Sequence, residues 1–203
     1  TGSYNIGIGY NTLGGTTTQS NNVAIGDAAL EANTASANTA VGHRALYANT
    51  TGDESVAIGA YAADANTTGI DNIAIGVYTF SANTTGSYNT AVGRAALGNN
   101  STANYNTAIG NKALNANTTG TPNTAVGHGS LELNTTGANL TACGKGSLYA
   151  NTTGSNNTAV GLNCLASNTT ADDNTALGSW ALNANTTGSK NVGIGCSALD
   201  SNT

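Results

Sequence analysis

A glycine preceded by a small residue and then an apolar one recurs at Gly9, Gly26, Gly42, Gly59, Gly76, Gly93, Gly110, Gly127, Gly144, Gly161, Gly178 and Gly195, and every interval is 17 residues except the 16 between Gly26 and Gly42. A unit this short carries about two large apolar side chains and cannot bury them alone, so it must stack on copies of itself. Two helices do not fit into 17 residues rich in Thr, Asn and Gly, which are poor helix formers. The spacing therefore predicts an all-β fold, a parallel β-solenoid of twelve rungs running as one continuous array over 1–203. With strands about 4.8 Å apart, twelve rungs make a rod on the order of 57 Å long.

The unit reads Asn-Thr-Ala-Val-Gly-x-x-Ala-Leu-x-Ala-Asn-Thr-Thr-Gly-x-x, as in 38–54 and 174–190. Its Thr/Val/Ile-Ala-Val/Ile stretch has strand character and ends at the repeat glycine, with Gly26, Gly42, Gly59, Gly76, Gly93, Gly110, Gly127, Gly144, Gly161 and Gly178 as turn glycines. The β-branched residues are expected to alternate inward. A core ladder then follows: Ile8, Ile25, Val41, Ile58, Ile75, Val92, Ile109, Val126, Val160, Leu177 and Ile194, with Cys143 in the same column. A second extended segment is expected to carry Leu30, Leu46, Leu97, Leu114, Leu131, Leu148, Leu165 and Leu182, with Ala63 and Phe80 as exceptions. The Ala before Val/Ile, replaced only by Gly7 and Gly193, implies close approach of either the opposite wall or another chain.

The Asn-Thr-Thr-Gly stretch has turn chemistry, with Gly or Asn taking φ > 0. Its asparagines, Asn33, Asn49, Asn66, Asn83, Asn117, Asn134, Asn151, Asn168 and Asn185, should stack into a hydrogen-bonded ladder that satisfies buried turn groups. The missing residue of the 16-residue interval falls between Asn33 and Asn38. Because 1–203 holds a whole number of rungs in phase, Thr1 reads as internal to a longer or processed chain, or the chains stack end to end.

Catalytic chemistry finds no foothold in this pattern. His43 and His128 each follow a repeat glycine five rungs apart, roughly 24 Å along the axis, and cannot share a metal or a dyad. Cys143, Cys164 and Cys196 occupy different columns, which argues against a disulfide. The acidic residues, including Asp53-Glu54 and Asp172-Asp173, are scattered over variable columns, unlike a calcium repeat with an Asp in every unit. No cofactor or metal site is expected. Five scattered Lys and Arg with a net charge of −5 speak against nucleic acid, and no run of ten consecutive apolar residues offers a membrane span.

The Asn-Thr-Ala-Val-Gly segments and Ser55-Val56-Ala57-Ile58-Gly59 resemble the head repeats of bacterial trimeric autotransporter adhesins, and similar arrays occur in phage tail fibres and related surface fibres. The resemblance covers all twelve units. It implies a left-handed parallel β-roll with three chains packed about one axis, binding matrix or host surfaces, and the Asn-Thr-Thr-Gly segment would be a lengthened turn. The expected function is a non-catalytic structural fibre or adhesin segment, extracellular, on a cell surface or virion. Its partners would be copies of itself, as a homotrimer or end-to-end fibre, and a host, matrix or glycan surface. Two alternatives stand beside it. Adjacent Thr ladders in Asn-Thr-Thr suggest ice binding, although the Thr-x-Thr rank is missing, and a self-assembling single-chain filament would use the same stacking. Tyr10, Tyr47, Tyr61, Tyr78, Tyr149 and Trp180 occupy variable columns, where they either contact sugars and proteins or pack at a corner.

Overall fold

The computed structural model describes residues 2–201. Among them twelve short strands follow in chain order: β1 (Ile6–Ile8), β2 (Val23–Ile25), β3 (Thr39–Val41), β4 (Val56–Ile58), β5 (Ile73–Ile75), β6 (Thr90–Val92), β7 (Thr107–Ile109), β8 (Asn123–Val126), β9 (Leu140–Cys143), β10 (Thr158–Val160), β11 (Thr175–Leu177) and β12 (Val192–Ile194). They form one sheet in sequence order, each strand parallel to the next. The register sets like over like, Ala57 beside Ala74 and Ala74 beside Ala91. The expected β-solenoid of 17-residue rungs is the observed fold, and its sheet of eleven strand spacings is about 53 Å long.

Each strand is short because of the glycine that ends it. The repeat glycines have φ between 121° and 139°, a region that residues with a Cβ avoid. A Cβ at Gly59 would also stand 2.5 Å from the carbonyl oxygen of Gly76 on the next rung. Two tight turns follow. Ala62 N–H donates to Gly59 C=O at 3.3 Å, and Asn66 N–H to Ala63 C=O at 3.1 Å.

On most rungs three further positions adopt the left-handed region without glycine, as at Tyr61 (φ 56°), Ala63 (φ 50°) and Asp71 (φ 53°). Each such residue costs about 1–3 kcal/mol in isolation. Inter-rung hydrogen bonds offset the cost: the amide of Tyr61 donates to His43 C=O at 2.9 Å, that of Ala63 to Thr79 C=O at 2.9 Å, and that of Asp71 to Asp53 C=O at 3.2 Å. Two expectations are corrected here. The leucine column lies in a turn and not in a second extended segment. The positive φ near the Asn-Thr-Thr-Gly stretch falls on the residue before the second Asn, such as Asp71 before Asn72, and not on that stretch's Asn or Gly.

The core also reverses the expected inside and outside of the strand. Alanines of the strand centre, from Ala24 to Ala176, are fully buried, whereas Ile8, Ile58, Ile75, Ile109, Leu177 and Ile194 are exposed and Ile25, Val41, Val92, Val126 and Val160 only partly covered. The predicted core ladder of residues preceding the glycine therefore faces outward. The reason is the narrow bore. A Cβ at Gly193, which takes the alanine position in β12, would lie 2.9 Å from Leu182 Cγ, too close for a methyl unless the leucine shifts, and on the other rungs from β2 to β11 the position holds a fully buried alanine and nothing larger. The interior consists of that alanine, a second small residue such as Ala62 or Ala113, and the leucine column, with Leu30, Leu46, Leu97, Leu114, Leu131, Leu148, Leu165 and Leu182 buried as expected.

The 16-residue interval is absorbed where the sequence placed it. Asn49 Nδ2 bonds Asn33 Oδ1 across 16 residues, while Ser55 N–H bonds Asn38 Oδ1 across 17. The lost residue is the second Thr, because Asn33 Nδ2 reaches Ala35 C=O two residues on, where Asn49 reaches Gly52 three residues on. Adjacent in the leucine column, buried Ala63 and buried Phe80 are one small and one large exception. Ala63→Leu alone is expected to overpack and lose about 1–3 kcal/mol. Combined with Phe80→Leu it should recover most of that loss in a denaturant melt; additive losses would show that the two positions do not share space.

Candidate interaction surface

Two asparagine ladders run through the wall of the rod. The first bonds side chain to side chain: Asn66 Nδ2 donates to Asn49 Oδ1 at 2.9 Å, Asn83 to Asn66 at 2.7 Å, Asn134 to Asn117 at 3.0 Å, Asn151 to Asn134 at 2.8 Å, Asn168 to Asn151 at 2.9 Å and Asn185 to Asn168 at 3.2 Å. Asn100 belongs to it as well, linking Asn83 to Asn117. The same position in the last unit, Asn202, lies outside the described residues. The second ladder, four residues before the repeat glycine, accepts from backbone: Asn106 N–H donates to Asn89 Oδ1 at 3.0 Å, and Asn123 N–H to Asn106 Oδ1 at 2.9 Å. Both ladders converge on one carbonyl per rung, Gly52 C=O accepting from Asn49 at 2.7 Å and from Asn38 at 2.9 Å. Buried polar groups are thus satisfied along the axis. The Asn-Thr-Thr asparagines are fully buried and doubly engaged, so folded rungs offer none of them to a glycosylating enzyme.

Outside the sheet lies a different surface. Two columns point outward from β1 to β12, the residues three before and one before the repeat glycine, and none of their 24 side chains is charged. Ile73 and Ile75 are 40% and 37% exposed at mid-rod, and Ile58, Ile109 and Leu177 are likewise exposed. A monomeric protein seldom presents a continuous apolar stripe along its whole length. From β6 to β11 one of the columns is threonine on six successive rungs, Thr90, Thr107, Thr124, Thr141, Thr158 and Thr175.

The threonines of the Asn-Thr-Thr turn behave differently. The first of each pair turns its hydroxyl to the next rung, Thr50 Oγ1 to Thr67 C=O at 2.9 Å and Thr135 Oγ1 to Thr152 C=O at 3.0 Å. Those hydroxyls serve the rod itself.

Aromatic side chains also stack between rungs. Tyr61 and Tyr78 lie 5.0 Å apart at 7°, Tyr88 and Tyr105 5.2 Å apart at 4°, and His43 meets Tyr61 edge-on while bonding Asp27 at 3.0 Å. The Arg44 guanidinium covers the Tyr47 ring at 4.0 Å. Nearby, burial raises the Asp64 carboxyl above the usual carboxylate range, with the Arg44 charge partly countering it. Cys143 sits exposed in the outward column, Cys196 is exposed after a repeat glycine, and Cys164 is buried with its thiol pushed up to about 11 by desolvation. Among the described residues no three His, Cys, Asp or Glu side chains come together.

The fold and its surface define a parallel β-solenoid whose sheet carries an uncharged outward stripe. Comparison with protein-family models, curated proteins and solved structures finds no match.

Proposed function

We propose that the chain is a non-catalytic structural or adhesive segment of an extracellular fibre, on a cell or virion, and that copies of it assemble side by side through the outward face of the sheet. The observation that carries this reading is the uncharged stripe along all twelve strands, Val, Ile and Thr apart from Cys143 and Leu177. Burying it between copies recovers the hydrophobic free energy that the narrow, alanine-lined interior cannot supply, at about 25 cal/mol per Å². The resemblance to adhesin heads favours three copies about one axis, and an isologous or cyclic contact of a straight stripe closes without leaving an open face. Adhesion would then come from many weak contacts on the remaining outer surface.

Molar mass in solution tests the assembly. A trimer has about three times the 19.9 kDa of the chain, long polymers mark the single-chain filament, and a monomer at all concentrations removes the side-by-side assembly. Ile75→Asp, at a side chain already 37% exposed in the single chain, is expected to shift the mass toward monomer with the circular dichroism unchanged. Thiol labelling locates the contact. In the assembly Cys196 should react, while Cys164 stays protected by burial and Cys143 by the partner. Labelling of Cys143 as fast as Cys196 would place the contact elsewhere.

Ice binding remains the second reading, and its favouring observation is the outward threonine column of β6–β11, ranked beside a column of Val, Ile, Leu and Cys143 on a parallel sheet. It requires that face to be free. A monomer showing thermal hysteresis would support it, and a multimer without hysteresis would dismiss it.

A further inference from the structure

The column two residues after the repeat glycine normally carries a side chain, among them Arg44, Tyr61, Lys112, Asn163 and Trp180. On two successive rungs it carries none, because Gly129 and Gly146 stand there with φ of 64° and 65°. Their absence of side chains opens a groove of about 300 Å³ across four rungs, roughly 14 Å long.

Its walls are amphipathic. Tyr149 and Trp180, 41% and 43% exposed, are ring platforms two rungs apart. A Cβ at Gly129 would lie 3.7 Å from the Tyr149 ring and 3.2 Å from Glu132 Oε2, so both groups face the vacated space. Lys112 Nζ holds the other carboxylate oxygen, Oε1, at 3.1 Å, which fixes the acid and balances its charge. At the far end Asn163 Oδ1 reaches over Gly146, and Asn163 C=O accepts from Asn183 Nδ2 at 2.9 Å. Rung 3 shows the closed alternative: there Arg44 occupies the column and covers Tyr47 at 4.0 Å.

We propose that this groove is a saccharide-binding site. A pyranose ring presents C–H faces that stack on aromatic rings and an equatorial rim of hydroxyls that a carboxylate and amides bind, which is the combination found here. The proposal rests on the adhesive reading of the rod and gives that reading one defined contact point in place of a diffuse surface.

Trp180 is the single tryptophan, so its fluorescence reports on the groove alone. The full chain is titrated with unbranched trisaccharides of glucose, galactose, mannose and N-acetylglucosamine, and binding is confirmed by saturation transfer to the sugar. At least one should shift the emission with a Kd near or below about 1 mM. Tyr149→Ala should weaken that binding by about tenfold or more. Gly146→Arg should abolish it by laying a guanidinium over Tyr149 and turning aside the Asn163 amide that reaches over Gly146, and its fold should survive because only that side-chain end must move and Arg44 takes the same position at φ 54°. No response from any of the sugars at about 10 mM, or equal binding by wild type and both variants, would overturn the proposal. The molar mass separates the two readings: a multimer blind to sugars loses only the groove, whereas a sugar-binding monomer loses only the assembly.

Discussion

Gly110→Ala is expected to destabilise the rod by more than about 3 kcal/mol, while Gly137→Ala, 27 residues on, should cost under about 1.5. The two glycines do different jobs. At Gly110 φ is 134°, and a Cβ would stand 2.6 Å from the Gly127 carbonyl, which is backbone held in the ladder and cannot step aside. At Gly137 a Cβ would meet the Gly154 carbonyl just as closely, but no left-handed φ is required, and the same column already accommodates Ala35, Ala103 and Ala171, all buried at 8% or less, so the backbone conformation separates the two sites. A new methyl there has natural precedents on three rungs. Because each rung touches only its neighbours, the Gly110 variant should lose protection first around β6–β8. Denaturant unfolding followed by circular dichroism measures both losses, and similar values for the two variants would contradict the account of the strand end.

That contrast shows what could be read from the residues. The period, the parallel stacking, the register of Ala over Ala, the buried leucines, the site of the lost residue and the Asn ladder all follow from columns of identical side chains, since a stacked rung has no other way to repeat itself. Which face of β2–β12 turns inward did not follow. A three-residue strand such as Thr39–Val41 alternates either way, and size favoured burying its larger pair. The choice depends on the distance to the opposite wall, here set by Leu182 against the Gly193 position. The invariantly small column held that information, as a methyl facing a leucine across a narrow bore.

The left-handed residues were equally hidden. Leu, Arg, Tyr and Trp have no local preference for φ near 50–60°, and they adopt it because the amide must reach the neighbouring rung. Gly129 and Gly146 likewise carry no local signal, because the column they occupy varies from rung to rung. Only the lateral placement of Tyr149, Glu132 and Trp180 turns two missing side chains into a groove.

The asparagine ladder should make the largest difference when a single atom changes. Asn117 donates to Asn100 Oδ1 and to Gly120 C=O, each at 3.1 Å, and accepts from Asn134 Nδ2 at 3.0 Å. In Asn117→Asp the donor is replaced by a second acceptor, so an ionised carboxylate would face two oxygens in a fully buried site. Loss of about 3–5 kcal/mol at neutral pH is expected. The pH dependence follows from the sign of the shift. Burial and facing acceptors disfavour the charged form, so the folded-state pKa of this Asp is raised above its unfolded value of about 4. The folded state then binds the proton more tightly, and the penalty is smallest below the unfolded pKa, grows as pH rises through the interval between the two values, and stays constant above the folded one. Protonated, the acid can donate to one of the two oxygens and restore half of what the amide supplied. The difference in stability between wild type and variant should therefore shrink markedly between pH 7 and pH 3, a comparison in which the titration of other groups cancels. A difference that is independent of pH, or below about 1 kcal/mol at pH 7, would mean that the amide chain is a passenger of the stacked backbone and not one of the forces that hold it.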